Sequence, residues 1–171
     1  MLKHVNYLLD NIYQFENPII MVGWSQWERD EWEWNGDSLS FSVAPYYEVP
    51  DELQQKYQEW RQGITPEVIG IQRIFWHDIL FQVHQKLEDL KIPHLFWSTY
   101  DNFVGMNPRH DWNNCWFKPY DPDGCMKQWF ISRNIPSIGN DPWHWATDGH
   151  RAWGTTLADF FKEHHDLQPH P

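Results

Sequence analysis

Cysteine is nearly missing from this chain: Cys115 and Cys125 are the only two in 171 residues. Two cysteines ten apart in a loop-like region allow one bridge but do not require it, and free thiols in a reducing compartment are expected. Long apolar runs are missing as well. None approaches the roughly 18 residues of a membrane span, and no basic segment leads into an apolar one near the start, so neither a span nor a signal peptide is expected and the protein is placed in the cytoplasm. Basic residues are few and scattered, 13 Lys and Arg against 24 Asp and Glu for a formal charge of −11. Phosphate backbones are held by Lys and Arg stripes, so nucleic acid is not an expected partner. Internal repeats and composition breaks are also absent. Residues 1–171 therefore read as one domain, of a size that can bury about 70% of its unfolded surface.

What is present in excess is aromatic. The 13 Trp, 10 Phe and 7 Tyr exceed what one core of this size needs, which predicts that several line a cleft or a partner-facing surface. For any single Trp, plain core or loop packing is the simpler reading.

Leu2, Val5, Leu8, Leu9, Ile12 and Phe15 recur at helical spacing, predicting a helix up to Phe15 that Asn17-Pro18 stops. The short run Ile19-Ile20-Met21-Val22-Gly23 is apolar on both faces, as a parallel-sheet strand is. Residues 25–50 have no sustained period and read as a long loop with a short hairpin around Asn35-Gly36. Asp51 can cap a short helix through Trp60. Thr65-Pro66-Glu67 starts a longer helix, with Ile69, Phe75 or Trp76, Ile79, Leu80, Val83, Leu87 and Leu90 on its apolar face, running to about Lys91. Ile92-Pro93 ends it and His94-Leu95-Phe96-Trp97 is the next strand. Residues 105–123 read as loop, 126–133 as a short helix and 135–138 as a last strand. Thr147 or Asp148 opens a final helix whose Trp153, Leu157, Phe160 and Phe161 face the sheet. Helices alternating with short apolar strands give an α/β class. In open α/β sheets ligands sit beyond the carboxyl ends of the strands, which makes Ser25, Ser98, Asp101 and the segment around His144 candidates to converge.

The segment Asp141-Pro142-Trp143-His144 carries the sharpest chemistry. An acid three residues before a histidine, just ahead of a helix, can hold the imidazole in the tautomer that accepts a serine proton. A bracing Asp and a satisfied loop His explain the same residues equally well. No serine on a strand-to-turn junction stands out as nucleophile. Gly36-Asp37-Ser38-Leu39 spells an esterase motif, but Glu31-Trp32-Glu33-Trp34-Asn35 before it is no buried strand, so Ser38 is expected to cap a turn. Ser25, in Gly23-Trp24-Ser25-Gln26, follows the first strand directly and can serve as nucleophile, oxyanion donor or turn cap. His110-Asp111 with His144, His150 and Cys115 matches no compact zinc spacing; neither metal nor cofactor is expected.

The order of these elements resembles the SGNH/GDSL hydrolase superfamily, and within it the SGNH-like proteins of marine cyanophages. The likeness rests on the string from Val22 to Trp32, on Asp111-Trp112-Asn113-Asn114-Cys115, on the terminal Asp-x-x-His and on Gly149-His150-Arg151-Ala152-Trp153, and covers most of the chain. It implies a flavodoxin-like three-layer parallel sheet with helices on both faces, in which Asp141 and His144 stand at the catalytic Asp and His. Ser25 takes the place of the family's oxyanion Asn. The family's serine block falls before residue 1, so the sheet is expected to be incomplete at its N-terminal side and another chain is an expected partner to complete it. A degenerate or truncated ester or acyl hydrolase of phage origin, acting in the host cytoplasm, is the function implied. The rival is a non-catalytic phage accessory protein whose aromatic cleft holds a small ester, carbohydrate or peptide.

Overall fold

The computed structural model describes residues 2–25, 29–43, 48–139 and 144–165. It is a mixed α/β protein whose chain falls into two compact units, Met1–Trp24 with Phe81–Pro171, and Ser25–Leu80.

The first unit is organised on two parallel strands, β1 (Ile20–Trp24) and β4 (His94–Ser98), paired from Ile20 opposite His94 to Trp24 opposite Ser98. This is the pairing that their apolar runs predict. α1 (Leu2–Asp10) is shorter than the helix expected to reach Phe15. Asn11 stops it, donating its side-chain amide to the Tyr7 carbonyl at 2.8 Å, and a 3-10 turn over Ile12–Gln14 follows. On its other edge β4 makes single bridges through Phe96 to Trp116 and through Ser98 to Cys125. α4 (Met126–Ser132) and α5 (Thr147–His164) complete an aromatic core of Leu95, Phe117, Trp129, Phe130, Trp145, Trp153, Leu157 and Phe161. Trp153, Leu157 and Phe161 recur at helical spacing, which turns one stripe of α5 inward as its sequence predicts. The strand expected over 135–138 is not formed. Asn134 (φ 52°) and Gly139 (φ 59°) bracket the segment in the left-handed region, Pro136 has no N–H to give, and only the bridge of Ser137 to Trp145 remains.

In the second unit, much of the stretch read as loop is an antiparallel hairpin, β2 (Arg29–Trp34) and β3 (Asp37–Ser42). Asn35 (φ 50°) and Gly36 (φ 87°) supply the two left-handed residues of its turn. Trp32 lies opposite Leu39 and packs with Phe41, Val49, Leu53 and Tyr57, so a period of two is present but spread across flanking charges. α2 (Gln54–Gly63) is fastened to β3 by the Tyr57 hydroxyl, which donates to the Ser42 carbonyl at 2.7 Å.

α3 (Pro66–Asp89) begins as expected, Thr65 Oγ1 accepting from the Val68 amide at 3.3 Å. Of its predicted face, Leu80, Val83 and Leu87 are buried, whereas Phe75 and Leu90 are exposed. Its end sets the geometry of the functional residues. The Ile92 amide bonds to the Leu87 carbonyl and the Lys91 amide to that of Glu88, both at 2.9 Å, with Lys91 left-handed at φ 55°. This is a Schellman reversal, and Pro93 prevents the helix from resuming. Lys91 is exposed and has a Cβ in a region that costs L-residues energy. Lys91→Gly is expected to raise unfolding free energy by about 0.5–1 kcal/mol, seen as a higher urea midpoint at unchanged slope.

Candidate functional site

The expected hydrolase residues fall in both units of the chain. Ser25 is half-buried just past β1, and Ser38 is exposed in β3 opposite Glu33. Both belong to the second unit, His144 to the first. His144 is exposed, and its carbonyl accepts from the Ile138 amide at 2.7 Å. Asp141 lies outside the described residues. Ser98 closes β4 fully buried, and its hydroxyl has no partner among the described residues; a hydroxyl shut away in this manner cannot meet a substrate.

A different group converges. His84, Glu88, His94 and Cys115 each offer one donor atom, and those atoms all lie within 4.8 Å of one another. His84 and Glu88 are four apart on α3, one turn along the same face. The reversal at Lys91 returns the chain as β4 so that His94 meets His84, Nε2 to Nδ1, at 2.9 Å. Cys115 comes from a tight turn, its amide donating to the Trp112 carbonyl at 2.7 Å. Asn113 (φ 47°) and Asn114 (φ 60°) are the left-handed residues of that turn, a conformation Asn tolerates. Two further bonds lay the segment along β4: Phe96 donates to the Cys115 carbonyl at 2.8 Å, and Phe117 to the Phe96 carbonyl at 2.9 Å. The Cys115 sulfur then lies 3.6 Å from Glu88 Oε1 and 3.8 Å from Nε2 of His165, at the end of α5.

Burial controls the charge state of the group. His84, His94 and Cys115 are 2%, 0% and 1% exposed, while Glu88 faces solvent and His165 is half-buried. Desolvation pushes the His94 pKa down to about 4 and also lowers those of His84 and His165. It raises the Cys115 thiol to about 12, an effect reinforced by the Glu88 carboxylate. At neutral pH the three rings are uncharged and the sulfur is protonated. The His94 Nδ1–H donates to the Ile92 carbonyl at 2.7 Å, which leaves Nε2 as a lone pair aimed at His84. Orientation of a ring by a backbone carbonyl on the far nitrogen is how proteins present imidazole to a metal. Asn113 steadies the carboxylate in the same way, its Nδ2 donating to Glu88 Oε2 at 3.2 Å.

Of these five residues only Cys115 is a ligand candidate from sequence, grouped there with His110, Asp111, His144 and His150; Asp111 does lie beside His84. His110 stacks on Phe81 at 4.0 Å, and His150 is exposed on α5 with its ring against Phe130. The signal that could have found the group is His84-x-x-x-Glu88 at the end of an apolar helical face, followed by His94 six residues later, past the Ile92-Pro93 stop. The sequence leads to no expected metal; these side chains form a donor set that a metal-uptake measurement tests.

Both thiols are buried with raised pKa values, and only thiolate alkylates. Cys115 and Cys125 are therefore expected to resist iodoacetamide in the native protein at pH 8 and to label within minutes in urea; mass spectrometry of the labelled peptides checks this, and rapid native labelling of Cys115 would contradict the packing described. No protein-family model, curated protein or solved structure matches the chain, and its chemistry is read from these side chains themselves.

Proposed function

We propose that this protein holds a single zinc-class cation through His84, His94 and Cys115, with the fourth position on the side where Glu88 and His165 stand. The observation that carries the reading is the convergence of imidazole, thiol and carboxylate donors within 4.8 Å. Tetrahedral zinc, with bonds of about 2.0–2.3 Å, separates two nitrogen ligands by about 3.3 Å and a sulfur from an oxygen by about 3.5 Å. The 2.9 Å between His84 and His94 and the 3.6 Å between Cys115 and Glu88 differ from these by a few tenths of an ångström. Thiolate with imidazole selects zinc, copper(I) or cobalt over magnesium and calcium. With three ligands enclosed, the ion is structural: it ties the end of α3, the start of β4 and the turn before Cys115.

Chelator-treated protein is expected to take up one equivalent of zinc and to give, with cobalt(II), the thiolate charge-transfer and ligand-field bands of a tetrahedral site. Saturation at about 100 times Kd adds about 2.7 kcal/mol of stability. Cys115→Ser should weaken binding more than about 100-fold. Absence of uptake by the unmodified chain would sink the centre.

The parallel pairing of β1 with β4 favours a second reading, an SGNH-related domain in which ligands sit beyond the strand ends near Ser25. In this reading the two strands belong to a flavodoxin-like sheet completed by another chain, His144 is the general base and Asp141 its orienter. Imidazole and carboxylate without a seated serine form no acyl-enzyme. Turnover of p-nitrophenyl acetate is therefore expected barely above background and unchanged in His144→Ala and Ser38→Ala. Robust turnover lost in both variants would make Ser38 the nucleophile and this domain an esterase.

A further inference from the structure

Three of the four converging donors are shut away from water and one is not. We infer that Glu88 is both the fourth ligand and the point of entry, the carboxylate that captures the hydrated ion and hands it inward to Cys115, His84 and His94. This rests on the centre proposed above and concerns how that centre is filled and emptied.

His84, His94 and Cys115 are 2%, 0% and 1% exposed, whereas Glu88 faces solvent. Aromatic rings stand against the two imidazoles: Phe81 and Trp112 lie 5.4 and 5.6 Å from the His84 ring and Phe96 lies 5.4 Å from the His94 ring, centre to centre. A divalent ion holds its water tightly. Passage between such rings would strip that water before any donor replaced it, a desolvation that nothing offsets.

The Glu88 carboxylate bridges the outside and the inside. Its Oε2 accepts from Nδ2 of the exposed Asn113 at 3.2 Å, and its Oε1 lies 3.6 Å from the Cys115 sulfur. An ion that exchanges one water for Oε1 is thereby brought beside the sulfur, and its other waters leave as sulfur and the two imidazoles take their places. The thiol proton passes to solvent as the sulfur–metal bond forms. A divalent ion on one thiolate and two imidazoles keeps one positive charge, which attracts the carboxylate and holds Glu88 as the fourth ligand.

Capture and holding leave different kinetic marks. Loss of a ligand that only holds the ion speeds its departure. Loss of a carboxylate that captures slows its arrival, because a negative charge at the mouth of a site raises the local concentration of cations. The same path serves in reverse, so Glu88 is also the last bond to break.

Cobalt(II) association with the metal-free, full-length chain is to be followed by stopped flow through the thiolate charge-transfer band, and dissociation into excess chelator measured beside it. The variants are Glu88→Gln, Glu88→Asp, which keeps the charge, and His165→Ala, which alters the other flank of the sulfur, 3.8 Å away, and removes none of the four donors. Glu88→Gln is expected to slow association about tenfold or more, with Glu88→Asp and His165→Ala each slowed less than it is. Association slowed less than about tenfold in Glu88→Gln, whatever its dissociation rate, overturns the assignment of Glu88 as the entrance, and so does a Glu88→Gln variant that binds no cobalt at equilibrium, the mark of a ligand that only holds. Glu88→Asp as slow as Glu88→Gln, or His165→Ala as slow as either, overturns it as well; in each case the centre stands. No cobalt binding by the unmodified protein removes the centre and this inference together.

Discussion

Strand β4 is the constraint on which the rest of the first unit depends. Leu95 and Phe96 are both essentially buried, so the strand has no solvent face, and its backbone bonds are taken by β1 on one edge and by the segment around Cys115–Phe117 on the other. Buried backbone groups must be paired. Once β4 is sealed between these neighbours, alternation sends Leu95 into the aromatic core under α5 and His94 to the opposite face, beside α3. The same bond that pairs Phe96 with Cys115 brings the sulfur within reach of the histidines.

That face is an unusual interior. His84 and His94 are buried side by side with uncharged rings, and a thiol held protonated stands against an exposed carboxylate. Burying polar groups is tolerable only when each finds a partner, and partial satisfaction is costly at low dielectric. The backbone carbonyl of Ile92 and the side chain of Asn113 supply the outer contacts, and His84 Nδ1–H is left to donate to the His94 Nε2 lone pair. A divalent ion would displace the proton between the two rings, and the outer contacts would then hold the ligands in place.

The aromatic excess goes largely into packing rather than into an open cleft. Trp112, Trp116, Phe96 and Phe103 stack in tilted and edge-on contacts beside the histidines, and Trp129, Trp145 and Trp153 build the core beneath α5. Rings of this size fill volume with few residues, which suits a unit that carries one short parallel pair of strands. In the second unit Trp32, Tyr57 and Trp60 do the same work around the hairpin, with Lys56 4.2 Å from the Trp32 ring centre.

Local patterns alone determined much of the architecture. The apolar runs gave β1 and β4 within a residue of their bounds, Thr65-Pro66 started α3, Ile92-Pro93 stopped it, and the spacing of Trp153, Leu157 and Phe161 turned α5 inward. These are short-range choices of propensity, capping and periodicity, and a sequence states them directly. The hairpin over Arg29–Trp34 and Asp37–Ser42 was only partly legible, because exposed Glu and Asp alternate with its inward Trp32 and Phe41 and mask the period. The end of α3, the start of β4 and the distant turn at Cys115 form the candidate centre, with His165 beside the sulfur. His84 and His94 meet because one left-handed Lys91 reverses the chain, Cys115 joins because two backbone bonds lay its segment on β4, and His165 arrives at the end of a helix packed from the other side. Long-range pairing of this kind leaves no fixed spacing in the sequence, so only the tertiary structure decided which histidines stand together.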